Sequence, residues 1–221
     1  MRRLAVFAML GGVKIVLASG NIHKRNEFAA IFQEYTLLLP ADLGIAFSHD
    51  ETGTSFLENA LGKAQTLRRM MSEAGTEILP VIADDSGISL PALGGEPGVY
   101  SARYGNTEGA ELNDDGRNRL LLSRMKGAAD RRAFFVCALV FFVEEYRFFT
   151  AQETWEGVLA ESPMGAGGFG YDPLLYLPEY SCTVAQLAAE EKNRISHRAK
   201  AAQAVKNLIA KAYPAIKRKN V

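Results

Sequence analysis

The sequence predicts an α/β fold, with helices layered on both faces of a central mixed β-sheet. Three observations carry this. Short apolar runs rich in β-branched residues alternate with longer stretches whose apolar residues recur at helical spacing. Glycine-containing turns separate the two kinds of segment. Two long apolar runs, 133–143 and 146–155, follow one another almost directly. They read as an antiparallel hairpin, which makes the sheet mixed rather than purely parallel.

Val13–Ala18 is a buried strand bounded by Ser19-Gly20-Asn21. A helix follows over 24–35, with Phe28, Ile31 and Phe32 on one face. A second helix spans 55–75, with Phe56, Leu57, Ala60, Leu61, Ala64 and Leu67 aligned. Ser55 and Glu58 form a capping-box pattern at its start. Residues 80–83 form a short strand that is expected to end in Asp84-Asp85-Ser86-Gly87. A glycine-rich loop covers 94–98 and a helix 113–126. After the hairpin, whose turn is Glu144-Glu145 or somewhat longer, 165–170 is another glycine-rich loop. Helices over 184–191 and 197–212 close the chain, and Pro214 stops the last one.

Of the 221 residues 48% are hydrophobic and 23% charged, which excludes a wholly disordered, collagen-like or coiled-coil chain. Lys+Arg and Asp+Glu balance at 25 each. No overall field therefore draws the protein to nucleic acid or an anionic membrane. The charge is unevenly spread: residues 190–221 carry nine Lys/Arg against Glu190 and Glu191, so the rest of the chain is equally acidic in excess. That division fits a small anionic ligand handled with metal help. Cys137 and Cys182 form no CxxC or Cys/His pattern, as expected of a reduced, cytoplasmic protein. Residues 1–12 read as an extension that is disordered or precedes the true start. Their apolar stretch is short for a secretory leader and lacks a cleavage site. Residues 13–213 read as a single domain and 214–221 as a basic tail.

Five local patterns carry chemistry. Asp84 and Asp85 stand at a strand end, where α/β sheets place ligands. Neighbouring strand residues face opposite ways, so both serve one site only if the strand stops there; the same string also fits an Asx turn or a cap. Ser19, Gly20, Asn21 and Lys24 fit a phosphate-binding turn or an ordinary strand-to-helix turn, and His23 reads as a surface residue. Glu51 fits a ligand to a hard cation beside Asp84 or Asp85. Lys63 shares a helix face with Glu58 or Asn59, for a site or for a solvated ion pair. Phe169 and Tyr171 fit stacking on a planar base or packing into the core, with Gly170 between them, and Asp172 fits a reader of ring N–H groups. Lys192, His197 and Arg198 fit contacts to phosphate or carbonyl oxygen, or a solvated helix start capped by Ser196.

In order along the chain these patterns read SGNxxK at 19–24, ETGxxFxENAxxKA at 51–64, ADDSG at 83–87, LGGxPGVYSARY at 93–104, GGFGYDP at 167–173 and EEKNxISHR at 190–198. Together they resemble the inosine triphosphate pyrophosphatase family, the XTP/dITP diphosphatases, from Lys14 to about Ala202. The resemblance implies a homodimer of two-lobed subunits around a nucleotide cleft, using Mg²⁺ to cleave (d)ITP and XTP to monophosphate and pyrophosphate. It implies Asp85 as general base and metal contact, Glu51 as metal ligand, and Asp84 assisting. Ser19, Gly20, Asn21, Lys24, Lys63 and Ser86 fall on the phosphate side. Phe169, Gly170, Tyr171, Asp172, Lys192, His197 and Arg198 fall in the nucleotide- and base-recognition set.

The residues agree with hydrolysis by water, since no Cys or Ser nucleophile is paired with a His base. A cationic donor such as Arg198 or His197 near position 6, with an acceptor near N1, favours hypoxanthine and xanthine over adenine. The competing readings are a diphosphatase of other base preference, a non-catalytic nucleotide sensor, and a nucleic-acid module suggested only by the basic C-terminal segment. A small-molecule nucleotide is the expected partner, with neither nucleic acid nor membrane.

Overall fold

The structure, a computed structural model, describes residues 13–144 and 146–212. The expected extension at 1–12, the helix stop at Pro214 and the tail at 214–221 lie outside the described residues. The strands are β1 (Val13–Leu17), β2 (Tyr35–Leu38), β3 (Val81–Ser89), β4 (Arg132–Glu144), β5 (Arg147–Leu159), β6 (Leu175–Leu177) and β7 (Cys182–Thr183). The α-helices are α1 (Ile22–Ile31), α2 (Phe56–Glu73), α3 (Asp114–Arg124), α4 (Ala189–Ile195) and α5 (His197–Ala212). All seven strands belong to one sheet in the order β2-β1-β3-β4-β5-β6-β7. β1 runs parallel to β2 and β3, whereas β6 runs antiparallel to β5 and β7, so the sheet is mixed as predicted. Among the described residues no helix is long and apolar enough to cross a membrane.

The packing divides into two compact units. The first holds the described residues up to Asp85, Ala138–Gln152 and the chain from Arg198. The second holds Ser86–Cys137 and Glu153–His197. In the first unit the period-two alternation of the strands sorts side chains onto two faces. Val16, Ala18, Val81, Ala83, Val140 and Phe142 pack with Ala60, Ala64, Leu67 and Met71 of α2. On the other face, Phe141 stacks on Phe32 at the end of α1 with ring centroids 6.4 Å apart. Lys206 of α5 lies over the Phe32 ring and donates to the Ile31 carbonyl. Each fully buried aliphatic or aromatic side chain contributes about 1.5–3 kcal/mol to this sandwich. The second unit has its own core, in which Leu121 of α3 and Met125, the residue that caps its end, meet Ile88, Leu90, Phe135, Trp155, Leu159, Tyr171 and Leu174.

Local chemistry explains the helix starts. Asn21 caps α1 by accepting from the His23 and Lys24 N–H groups. Ser55 and Glu58 form the expected capping box on α2. Three expectations need correction. β3 does not stop at Asp84 but continues to Ser89. Gly87 is needed there for close approach, not for a turn, because a Cβ would collide with Ser101 and the Gly98 carbonyl. The helix expected over 184–191 is a single 3₁₀ turn, Val184–Gln186, followed by the short α4. The helix expected over 24–35 ends at Ile31, and Tyr35 already begins β2.

Candidate active site

Because β3 continues, Asp84 and Asp85 serve opposite faces of the sheet. Asp85 follows Ala83 toward α2, where Lys63 Nζ lies 3.1 Å from Oδ1 and Asn59 Nδ2 donates to Oδ2 at 3.1 Å. Asn59 and Lys63, four residues apart, present one helical face to this carboxylate. Lys63 also reaches Glu51 Oε1 at 2.7 Å, so one ammonium joins two carboxylates. Asn59 Oδ1 accepts from Gly53 N–H at 2.8 Å, which ties the loop carrying Glu51 to the same amide. His49 Nδ1, 2.9 Å from Thr66 Oγ1, fixes that loop to α2 a second time. Glu58 takes no part, since its carboxylate accepts from Thr54 and Ser55 at the helix start.

Asp84 faces the other way, toward α1 and α5. Its side chain is fully buried, with Lys24 Nζ at 2.9 Å and Arg198 Nε at 3.6 Å. Arg198 also binds Glu27 Oε2 at 2.9 Å. Burial pushes the Asp84 carboxyl up, but Lys24, Arg198 and Lys63 outweigh it and hold it well below the usual carboxylate range. Asp85 goes the opposite way. Its burial, reinforced by Glu51, raises the carboxyl despite the pull of Lys63 and Lys24. Lys63 is raised because Asp84, Asp85 and Glu51 outweigh the cost of burying its ammonium.

The remaining residues of this unit are simply placed. Ser19 Oγ accepts from Asn21 N–H at 3.0 Å, Gly20 is exposed, and Asn21 is spent on the cap described above. His23 is exposed, as expected. The sequence does not single out Glu27, and it marks Asn59 only as one of two residues that share a helix face with Lys63. Both have a helical-spacing signal: Glu27 lies three residues after Lys24, and Asn59 four before Lys63.

In the second unit, Ser86 is half-buried in β3. Asp172 is buried and accepts from Lys192 Nζ at 2.6 Å and from Phe169 N–H at 2.9 Å. The Lys192 ammonium sits 4.9 Å from the Phe169 ring centroid, a cation–π contact. Phe169 is half-buried. Tyr171 is in the core, and its hydroxyl donates to the Ser101 carbonyl at 2.9 Å. His197 is buried and stacks on Phe135, with centroids 4.9 Å apart. Thus the sequence neighbours His197 and Arg198 have different duties, an aromatic stack in one unit and an ion-pair network in the other.

The comparisons with known proteins agree with these motifs. The Ham1 family model matches residues 15–208. A Treponema denticola protein named dITP/XTP pyrophosphatase is 43% identical over 197 residues, covering 89% of this chain and 98% of its own. A Bordetella pertussis protein of the same name is 44% identical over 192 residues, 85% of this chain and 87% of its own. A solved HAM1 protein from Coxiella burnetii superposes with a TM-score of 0.78 at 33% identity, covering 90% of this chain and 99% of that one. The Staphylococcus aureus Ham1 structure gives 0.74 at 36% identity, with 92% and 100% coverage. On sequence, motifs and fold together, this chain belongs to the Ham1 family.

Proposed function

We propose that the protein hydrolyses purine nucleoside triphosphates with a 6-oxo base, namely ITP, dITP and XTP, to the monophosphate and pyrophosphate. The observation that best supports this is Asp85: a buried carboxylate, raised in basicity, held by Lys63 and Asn59 and sharing Lys63 with Glu51. That is the environment of a general base, oriented on two sides and desolvated. The names of the relatives, dITP/XTP pyrophosphatases, support dITP and XTP among these substrates.

The residues fit a divalent cation, Mg²⁺. In the first unit Glu27, Glu51, Asp84 and Asp85 face Lys24, Lys63 and Arg198, four carboxylates against three cations. The lysines expected to meet phosphate are thus already matched, and a triphosphate adds several negative charges. Among the described residues no three His, Cys, Asp or Glu side chains converge as a ligand group. Glu51 and Asp85 remain, and Mg²⁺ commonly takes one or two carboxylates with water and substrate phosphate completing its shell. When bound, the cation supplies charge neutralisation and acidifies water.

This chain's residues do the rest. Asp85 accepts the proton of the attacking water. Lys63, displaced from Glu51, turns its ammonium toward phosphate oxygens. Lys24 and the turn at Ser19, Gly20 and Asn21, with Ser86, hold the phosphate chain, and Asp84 holds Lys24 and Arg198 in place. Phe169, held beside the Lys192 ammonium, offers a face to the base, with Gly170 after it in the turn; Tyr171 supports it from the core, and Asp172, His197 and Arg198 complete the recognition set. The resemblance further supports a cytoplasmic homodimer acting on the free nucleotide pool.

The test is a pyrophosphate-release panel with Mg²⁺ over ITP, dITP, XTP, GTP and ATP. ITP, dITP and XTP should exceed ATP in kcat/KM by about 10²-fold or more, since adenine leaves buried polar groups unpaired. Equal turnover of ATP would refute the base assignment.

A further inference from the structure

Gly170 is the point where the loop carrying Phe169 is held, and the grip comes from α3. Asp114 Oδ2 accepts the Gly170 N–H at 2.7 Å. Asn118 Nδ2 donates to the Gly170 carbonyl at 3.0 Å. Asp114 and Asn118 are four residues apart and share one helical face. Both polar backbone groups of one glycine are therefore taken by two side chains more than fifty positions away in sequence. Asp114 is itself steadied by Arg117 at 2.5 Å, and Arg117 also donates to the Leu112 carbonyl. Asn118 is 3% exposed, and the Gly170 carbonyl fixes which end of its amide faces the loop.

We infer that Asp114 and Asn118 are positioning residues for base recognition. They clamp Gly170 and so set the place of Phe169 before it and Asp172 after it. The inference rests on the base-reading role of this loop, which belongs to the proposed function. Neither residue touches the reacting atoms. Their effect is preorganisation: a loop already in its bound conformation spends less binding free energy on ordering itself. Losing the clamp should therefore weaken nucleotide binding and leave the chemical step alone.

The decisive variant is Asn118→Asp, nearly isosteric, which sets a carboxylate oxygen against the Gly170 carbonyl. Asp114→Ala is the second variant. Its side chain is 46% exposed, so truncation leaves no buried hole and carries the test if Asn118→Asp does not fold. Asp114→Asn keeps an acceptor and serves as the conservative rescue. Two readouts are taken on the full chain: amide hydrogen exchange of residues 165–172 without nucleotide, and kcat and KM for ITP with Mg²⁺. Asn118→Asp and Asp114→Ala should each speed exchange in that segment about tenfold or more, since hydrogen bonds to charged or buried groups are worth at least that factor. They should raise KM for ITP by a similar factor with kcat within about twofold, and Asp114→Asn should recover most of both effects. Exchange at wild-type rates, or a fall in kcat with KM unchanged, would overturn the inference. Wild-type protein that releases no pyrophosphate from ITP would instead sink the functional reading, and the exchange measurement would still decide whether α3 clamps the loop.

Discussion

Replacing Lys63 by methionine keeps the length of the side chain and removes the ammonium that Glu51 and Asp85 share. At 2.7 and 3.1 Å, with an effective dielectric of about 20, each pair carries roughly 5–6 kcal/mol of gross attraction. Burial of the ammonium offsets several kcal/mol of this, and truncating one partner of a buried pair typically costs about 3–5 kcal/mol. The Glu51 side chain is 24% exposed and can turn to water, so the lower end applies, a loss of about 3 kcal/mol near neutral pH. The pH dependence has a definite sign. Burial already raises the Asp85 carboxyl, and losing Lys63 raises it further. A raised acid binds its proton more tightly in the folded state, so the deficit of Lys63→Met should shrink as pH falls through the Asp85 titration. Urea unfolding at several pH values measures this directly. Magnesium should also raise the melting temperature of Lys63→Met more than that of wild type, because the cation takes the place of the lost charge. Equal stability of the two proteins at neutral pH would refute the claim that Lys63 holds the two carboxylates together.

Three further outcomes are expected. Asp85→Asn should lower kcat for ITP by roughly 10²-fold or more while circular dichroism and melting temperature show a folded protein. Asp84 is held below its ordinary value of 3.8, so its contribution to stability is full above that pH and is lost as pH falls below it. The urea midpoint of Asp84→Asn should therefore vary less between about pH 5 and pH 2 than that of wild type. Gly168 has φ +73°, and a Cβ there would overlap the Asp172 carboxylate. Gly168→Ala should cost about 1–3 kcal/mol by thermal unfolding and raise KM for ITP by disturbing the Asp172–Lys192 pair.

Much of the fold was legible because its signals are local. The capping box at Ser55 and Glu58, the helical stripe of α2 and the apolar runs of β1 and β4 need only near neighbours to be read. The errors come where tertiary contacts override local chemistry. Asp84-Asp85-Ser86-Gly87 reads as a turn, yet β3 runs through it to Ser89, where Ser101 accepts the Ile88 N–H and packs on the bare Gly87. β2, only four residues long, has too little pattern to find alone and exists by pairing with β1. The site shows the same division. Motif order marked Glu51, Lys63 and Asp85, which the structure brings together. It leaves Glu27, Asp114 and Asn118 as ordinary helix residues, because their roles depend on partners far away in sequence. Residue type leaves Tyr171 between base stacking and core packing, and His197 between a binding contact and a solvated helix start; their burial against Ser101 and Phe135 is a tertiary fact.

Hydrolysis of the α–β bond by Asp85 with a divalent cation is tested most directly by the product balance from ITP, measured for wild type and Asp85→Asn with Mg²⁺ and with excess EDTA. Wild type with Mg²⁺ should give pyrophosphate and IMP in equal amounts, EDTA should abolish turnover, and Asp85→Asn should give roughly 10²-fold less product. Release of orthophosphate, or full turnover in EDTA, would contradict this mechanism.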